Sequence, residues 1–188
     1  MVSVETACMY FIYLVMAIYF PAMYNIQPAY LGANYLLIGG AYLVGGLLGH
    51  LSAAVSMEWQ MAGRLGLPWI MFIISVATNF MVGWFITYAE YAQTVCTILL
   101  CAFLRGVMLP GAISYCVDLQ RQEAKSVLDG IATLQLIFSV VLQAGGASVD
   151  MESLFVWVFG VISGLMLLCC IPVTLFLFRR LFEKAPLL

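Results

Sequence analysis

Long apolar runs separated by short polar breaks constrain the fold of this chain more than any motif does. Of its 188 residues, 65% are hydrophobic and only 9% are charged, which leaves too little polar surface to enclose a soluble domain. A helix needs about 20 apolar residues to cross the hydrocarbon core of a bilayer. The pattern therefore predicts an all-α integral membrane protein, a single bundle of six transmembrane helices at about residues 7–23, 35–57, 67–85, 94–117, 127–148 and 154–178.

The basic residues predict how these six spans are oriented. Six of the seven fall in the second break, in the fourth break or after the last span, namely Arg64, Arg121, Lys125, Arg179, Arg180 and Lys184. An even number of spans places those three regions on one side of the membrane. Because lysine and arginine are retained on the cytoplasmic side, we expect both termini to be cytoplasmic.

The seventh basic residue, Arg105, lies inside the fourth predicted span, about 20 Å from Asp118 at its end. An arginine at the centre of a membrane helix costs roughly 2.5 to 3.5 kcal/mol on insertion scales, so it is expected to face a protein interior or a watery cavity. One interpretation is a contact for a substrate or an anion, or for an acid elsewhere in the protein. The other is a hydrogen bond to backbone carbonyls beside Pro110, where we expect a kink. Asp129 lies only about 6 Å into the fifth span, so the sequence favours a counterpart for Arg105 outside this chain.

Four further residues are considered for a substrate or proton pathway. Gln135 lies about 15 Å into the fifth span and Asn79 about 18 Å into the third, so both match the depth of Arg105. His50, about 12 Å from the cytoplasmic end of the second span, either exchanges a proton near neutral pH or is a hydrogen-bonded packing residue. Asp129 is either coupled to protons or placed to interact with a helix dipole.

The second predicted span is rich in glycine, and Gly45 and Gly49 form a GxxxG pattern. Such a pattern indicates a helix that a neighbour approaches closely. The six cysteines form no CxxC pair, and the chain has one histidine and no HExxH, GxSxG or phosphate-binding loop. We therefore predict neither an enzyme nor a metal or other cofactor, and no run of like charge indicates a nucleic-acid partner.

Several short motifs give the chain a resemblance to a known family. Residues Pro28–Leu31 and Tyr35, followed by a glycine-rich span that ends in Gly49–Ser52, are similar to the seventh and eighth helices of fungal drug:proton antiporters of the major facilitator superfamily. The pattern from Tyr115 through Asp118 to Leu119 resembles the end of their tenth helix. Residues 124–148 resemble their eleventh helix.

This resemblance implies that the chain is the C-terminal half of a twelve-helix transporter, with the N-terminal six helices as a missing partner. Such a protein exports small organic compounds or drugs by alternating access, driven by protons, with the substrate held between the halves; the plasma membrane is its expected location. The third and sixth helices of each half are peripheral in this family, which favours Gln135 over Asn79. Ala53 stands where the family has an acid, and Arg64 is the only basic residue before the next span.

Two other functions remain open at the level of sequence. The chain is either a stand-alone six-helix protein that acts as a homodimer or accessory subunit, or an inactive truncated transporter. Met1 lies immediately ahead of the span that corresponds to the family's seventh helix, which favours truncation over a stand-alone protein.

Overall fold

The computed structural model describes residues 2–55, 61–88, 90–119, 123–147 and 155–184. Seven helices account for nearly all of these residues. They are α1 (Val2–Ile18), α2 (Phe20–Tyr24), α3 (Pro28–Val55), α4 (Met61–Tyr88), α5 (Tyr91–Leu119), α6 (Ala124–Ala147) and α7 (Phe155–Lys184). The prediction of an all-helical protein is therefore confirmed for the described residues.

Four segments in the described part of the chain are long and apolar enough to cross a membrane. They are Pro28–Val55, Leu65–Tyr88, Tyr91–Asp118 and Phe155–Leu175. The apolar stretches of the other two predicted spans are shorter, at Val2–Ile18 and Leu128–Ala144. Five of the six predicted spans thus correspond to one helix each, and the first corresponds to α1 and α2 together. Four of the six have the length and composition of a membrane span.

The helices extend beyond the predicted spans. α1 begins at Val2 rather than near residue 7, so Glu5 belongs to the helix and not to the segment before it. α4 begins at Met61, and Pro68 therefore lies inside the helix instead of in its first turn. Pro110 also lies within a continuous helix. The predicted ends at residues 57, 148 and 154, like Arg121, fall outside the described residues.

A short break divides the first predicted span. α1 ends at Ile18, and Pro21 occupies the first turn of α2, where its missing backbone N–H breaks no helical hydrogen bond. Asn25 then adopts a left-handed conformation, with φ of 49°, which ends the helix. The chain thereby reverses direction into α3.

Each long helix packs against at least two others. The pairs in contact are α3 with α5, α4 with α5, α4 with α7, α1 with α6, α1 with α5, α5 with α6, and α1 with α7. α1 also meets α3, because the Tyr35 hydroxyl donates to the carbonyl oxygen of Tyr13 at 3.0 Å. α5 is central in this arrangement, whereas only 17% of the α3 span is buried.

The side chains at the two ends of the bundle differ in character. Where α1 ends and α5 begins, Phe20, Tyr24 and Tyr91 pack ring against ring. At the opposite end, Leu65 near the start of α4 packs with Tyr115 near the end of α5 and with Val173 of α7. The helix termini nearest the basic residues Arg64 and Arg179 are thus brought to one end of the bundle.

Candidate functional site

Five polar side chains from three helices meet in the interior of the bundle. They are Glu5 and Thr6 of α1, Ser75 and Asn79 of α4, and Arg105 of α5, and we call them the polar cluster. Ser75 and Arg105 each lie at the middle of a helix of 28 or 29 residues. In a bilayer crossed by α4 and α5, the cluster would lie at the depth of the hydrocarbon core, where no water solvates it.

Arg105 is held by two contacts. Its Nη2 donates a hydrogen bond to Thr6 Oγ1 at 3.1 Å, and its guanidinium lies over the ring of Tyr42, 5.4 Å from the centroid. A cation in this position is stabilised by the ring quadrupole by about 0.5 to 2 kcal/mol. Thr6 Oγ1 in turn donates to the Val2 carbonyl oxygen at 2.9 Å, so Arg105 is tied to the first turn of α1.

Glu5 is completely buried and is anchored through one carboxyl oxygen. The Ser75 hydroxyl donates to Glu5 Oε1 at 2.6 Å, a length typical of a hydrogen bond to a charged or strongly polar oxygen. The positive charge of Arg105 also acts on the carboxyl. The sequence favoured a counterpart for Arg105 outside this chain, but the structure places an acid of this chain in the same cluster.

Asn79 completes the cluster from the next turn of α4. Its Nδ2 donates to the Ser75 carbonyl oxygen at 2.9 Å and lies 3.3 Å from Ser75 Oγ. The same group is 3.7 Å from Met166 Sδ of α7, which also receives the thiol of Cys8 at 3.8 Å. Neutral side chains of α1, α4 and α7 therefore surround the amide of Asn79.

Three atoms of the polar cluster are buried without a hydrogen-bond partner in the described part of the chain, and these are Glu5 Oε2, Asn79 Oδ1 and Arg105 Nε. They comprise a carboxyl oxygen, an acceptor and a donor. Leaving a buried polar group unpaired costs roughly 1 to 3 kcal/mol, and more for a charged group. Because the large majority of buried polar atoms in native proteins have a partner, three such atoms in one cluster require an explanation.

The close crossing of α3 and α5 positions Tyr42 over the guanidinium. A Cβ added to Gly45 or Gly49 would collide with the carbonyl oxygen of Phe103 or Val107, and one added to Gly106 would collide with that of Tyr42. Gly45 and Gly49 therefore lie at a close helix contact, as the GxxxG pattern predicts. Gly39 and Gly40 on the same helix have no neighbour within 4 Å of such a Cβ.

The other predicted pathway residues lie outside the polar cluster. Gln135 is half-buried on α6, and its backbone carbonyl oxygen accepts a hydrogen bond from Ser139. Asp129 is exposed near the start of the same helix. Asn79, which ranked below Gln135 on the family pattern, is the one in the cluster.

His50 and Pro110 meet in a groove between α3 and α5. The groove has a volume of about 400 Å³ and is lined mainly by apolar groups from His50, Ala53, Ala54, Leu109, Pro110, Ile113, Ser114 and Val117. The two remaining motif residues lie near the end of α5, where Tyr115 is buried and Asp118 is half-buried.

A second pocket, of about 240 Å³, approaches the polar cluster from the end of the bundle where α5 terminates. Its lining consists of Val2, Ser3, Leu65, Ala112, Tyr115, Cys116, Ile131 and Val173. Ser3 is two residues from Glu5 and donates a hydrogen bond to the carbonyl oxygen of Ile131 at 3.3 Å.

Glu5 is the residue that the sequence interpretation missed. It stands ahead of the continuous apolar run, outside the first predicted span at about residues 7–23. Its signal was present: Glu5, Cys8 and Ile12 share one face of a helix extended to Val2, and all three are buried. Comparison of the chain with protein-family models, with curated proteins and with solved structures finds no match.

Proposed function

We propose that this chain is half of a proton-coupled membrane transporter that exports small organic compounds by alternating access. The observation that carries the proposal is the polar cluster, in which a buried carboxyl and a guanidinium lie together inside an apolar helical bundle. Ionisable side chains at this depth are costly and mark pathways for ions, protons or substrates.

The helix pairing supports a transporter built from repeats. Let α1, α3 and α4 form one triplet and α5, α6 and α7 a second. Each helix is then exchanged with its counterpart in the other triplet: α1 with α5, α3 with α6, and α4 with α7. Under this exchange, α3/α5 becomes α6/α1, α4/α5 becomes α7/α1 and α5/α6 becomes α1/α3, and the resulting pairs are also in contact. The pairs α4/α7 and α1/α5 are unchanged by it. Three crossings per triplet would invert the second relative to the first, as in transporters with inverted repeats.

The exposed faces of α3 and α6 are where we place the partner half. These helices are the second members of the two triplets. Asp129 and Thr133 are exposed one turn apart on α6, and a carboxylate facing hydrocarbon would be strongly unfavourable. A watery cavity between two halves would solvate them, and Gln135 lies on the same helix close to that cavity.

The membrane orientation is part of the proposal. The end of the bundle formed by Leu65, Tyr115 and Val173 lies nearest to the basic segments of the sequence, which supports a cytoplasmic position for that end and for both termini. The resemblance to drug:proton antiporters supports the plasma membrane.

The experiment is the substitution Arg105→Ala in the protein expressed from its complete reading frame, with Arg179→Ala at a helix end as the control. We expect Arg105→Ala to abolish proton-driven efflux of a lipophilic fluorescent cation from cells, because it removes the only described charge at the middle of α5, while the amount in the membrane stays unchanged. Efflux equal to that of the control would reject the role of Arg105. A reading frame that contains only these helices, with activity, would instead favour a homodimer.

A further inference from the structure

We propose that Glu5 is a proton-binding site whose second carboxyl oxygen alternates between two partners, Asn79 Oδ1 when the acid is protonated and Arg105 Nε when it is ionised. This inference deepens the proposed function and rests on it for the role of the proton in transport. Proton binding itself is measured without transport.

One half of the carboxyl is fixed in both states. Ser75 Oγ donates to Glu5 Oε1 at 2.6 Å, and an oxygen of a carboxylate or of a neutral carboxylic acid can accept that bond. Ser75 is itself held by Asn79 Nδ2, 3.3 Å away. Oε1 therefore stays anchored while the protonation state is decided at Oε2.

Each protonation state of Glu5 Oε2 needs a different hydrogen-bond partner, and the cluster contains an unpaired atom of each kind. A protonated Oε2 is a donor, and Asn79 Oδ1 is a buried acceptor without a partner. An ionised Oε2 is an acceptor, and Arg105 Nε is a buried donor without a partner. In either protonation state Oε2 pairs with only one of these two atoms. The other atom stays unpaired and is the partner in the opposite state.

The step itself is a simple proton transfer. A hydronium ion delivers its proton to Oε2 of the carboxylate, a water molecule is released, and the net charge of Glu5 with Arg105 rises from zero to plus one. In the reverse step water takes the proton. In an interior of low dielectric, a change of one unit of charge alters the electrostatic energy of the bundle strongly. Proton binding can therefore drive a rearrangement of the helices.

Few titratable groups compete with this assignment. The charged groups that act on Glu5 are Arg105 of α5 and the amino terminus, and Glu5 in turn acts on the thiols of Cys8 on α1 and Cys101 on α5. α4 and α7 face the site with the neutral residues Ser75, Thr78, Asn79 and Met166, and α6 meets this part of α1 at Ile131. The carboxyl is therefore the group that protons can load.

The pocket of about 240 Å³ supplies a route for the proton. It begins beside the end of α5 and reaches Val2 and Ser3 in the first turn of α1. The hydroxyl-bearing residues Ser3 and Tyr115 lie in its wall. The pocket thus leads from the end of the bundle that we place in the cytoplasm to Ser3, two residues before Glu5.

The test is a pH titration of the purified, lipid-reconstituted chain followed by infrared difference spectroscopy in the region of the protonated carboxyl C=O stretch. We expect a band that disappears as the pH rises and that is lost in Glu5→Gln. Glu90→Gln, the same change at an exposed glutamate, serves as the matched control and should leave the band in place.

Two further variants keep the test informative if Glu5→Gln does not fold. Asn79→Leu should shift the band to higher frequency, because the protonated acid loses its acceptor, and Arg105→Gln should let the band persist to higher pH. A band that is absent from the wild type, unchanged across the titration or retained in Glu5→Gln would overturn the assignment. A normal titration together with undiminished efflux in Arg105→Ala would reject the proposed transport role of Arg105 and leave the proton site standing.

Discussion

At the scale of single residues, Ser75 links the acid to the rest of the cluster. Its hydroxyl donates to Glu5 Oε1, its Oγ lies within reach of Asn79, and its backbone carbonyl oxygen accepts hydrogen bonds from Thr78 and Asn79. One serine therefore orients both the carboxyl and the amide. A small side chain has this effect because it is buried and has several partners.

We expect Ser75→Ala to lower the free energy of unfolding by about 1 to 3 kcal/mol, because it removes the donor to a buried carboxyl oxygen. Thr133→Ala is the control, since the Thr133 hydroxyl is exposed and donates to the carbonyl oxygen of Asp129, one turn earlier on the same helix. Intrinsic tryptophan fluorescence during denaturation in mild detergent measures the difference. Equal stabilities of the two variants would show that the hydrogen bond from Ser75 contributes little.

At the scale of elements, the α3/α5 crossing determines the position of Tyr42 relative to Arg105. Glycine is required there because backbone meets backbone: Gly45 and Gly49 lie against the carbonyl oxygens of α5, and Gly106 lies against α3. In a bilayer such close packing drives helix association, since lipid tails are as apolar as the side chains.

Gly45→Ala and Gly49→Ala should each lower the free energy of unfolding by about 1 to 3 kcal/mol, because an added methyl group forces the helices apart. Gly39→Ala, on the same helix in open space, should be neutral or slightly stabilising, since alanine favours the helix. Denaturation in detergent compares the three. A loss in Gly39→Ala as large as in Gly45→Ala would show that helix packing is not the cause.

At the scale of the whole molecule, the number of membrane crossings depends on whether α1 and α6 cross, because their apolar stretches are the shortest. α6 gives the clearer case. Ser126 and Ala144 are both exposed and lie near its two ends, about 27 Å apart along the helix axis. That separation is close to the thickness of the hydrocarbon core, about 30 Å.

We expect Ser126→Cys and Ala144→Cys, in a chain whose six native cysteines are replaced, to react with a membrane-impermeant maleimide from opposite sides of sealed vesicles. Ser126 should react from the cytoplasmic side. Glu90→Cys, between α4 and α5, is the reference for the outer side. Reaction of both α6 positions from one side would mean that α6 does not cross, and the six-span arrangement would then be wrong.

The sequence determined the helical class and the approximate position of every long helix, because an apolar environment imposes long apolar runs. It also singled out Arg105, because a charge within such a run is conspicuous. It also predicted the close contact at Gly45 and Gly49, since a glycine repeat on one face is a local property. Helix ends such as Val2 and Met61 were missed, because polar residues can continue a helix beyond its apolar part.

Only the tertiary structure decided what Arg105 faces. Depth counted along separate helices could not show that the first turn of α1 reaches the middle of α4 and α5, where Glu5 meets Ser75. The family resemblance ranked Gln135 above Asn79, although Asn79 is the residue that packs beside the acid. Composition and periodicity are set by the solvent around each helix, whereas the partners of a buried charge are set by how the helices pack against one another.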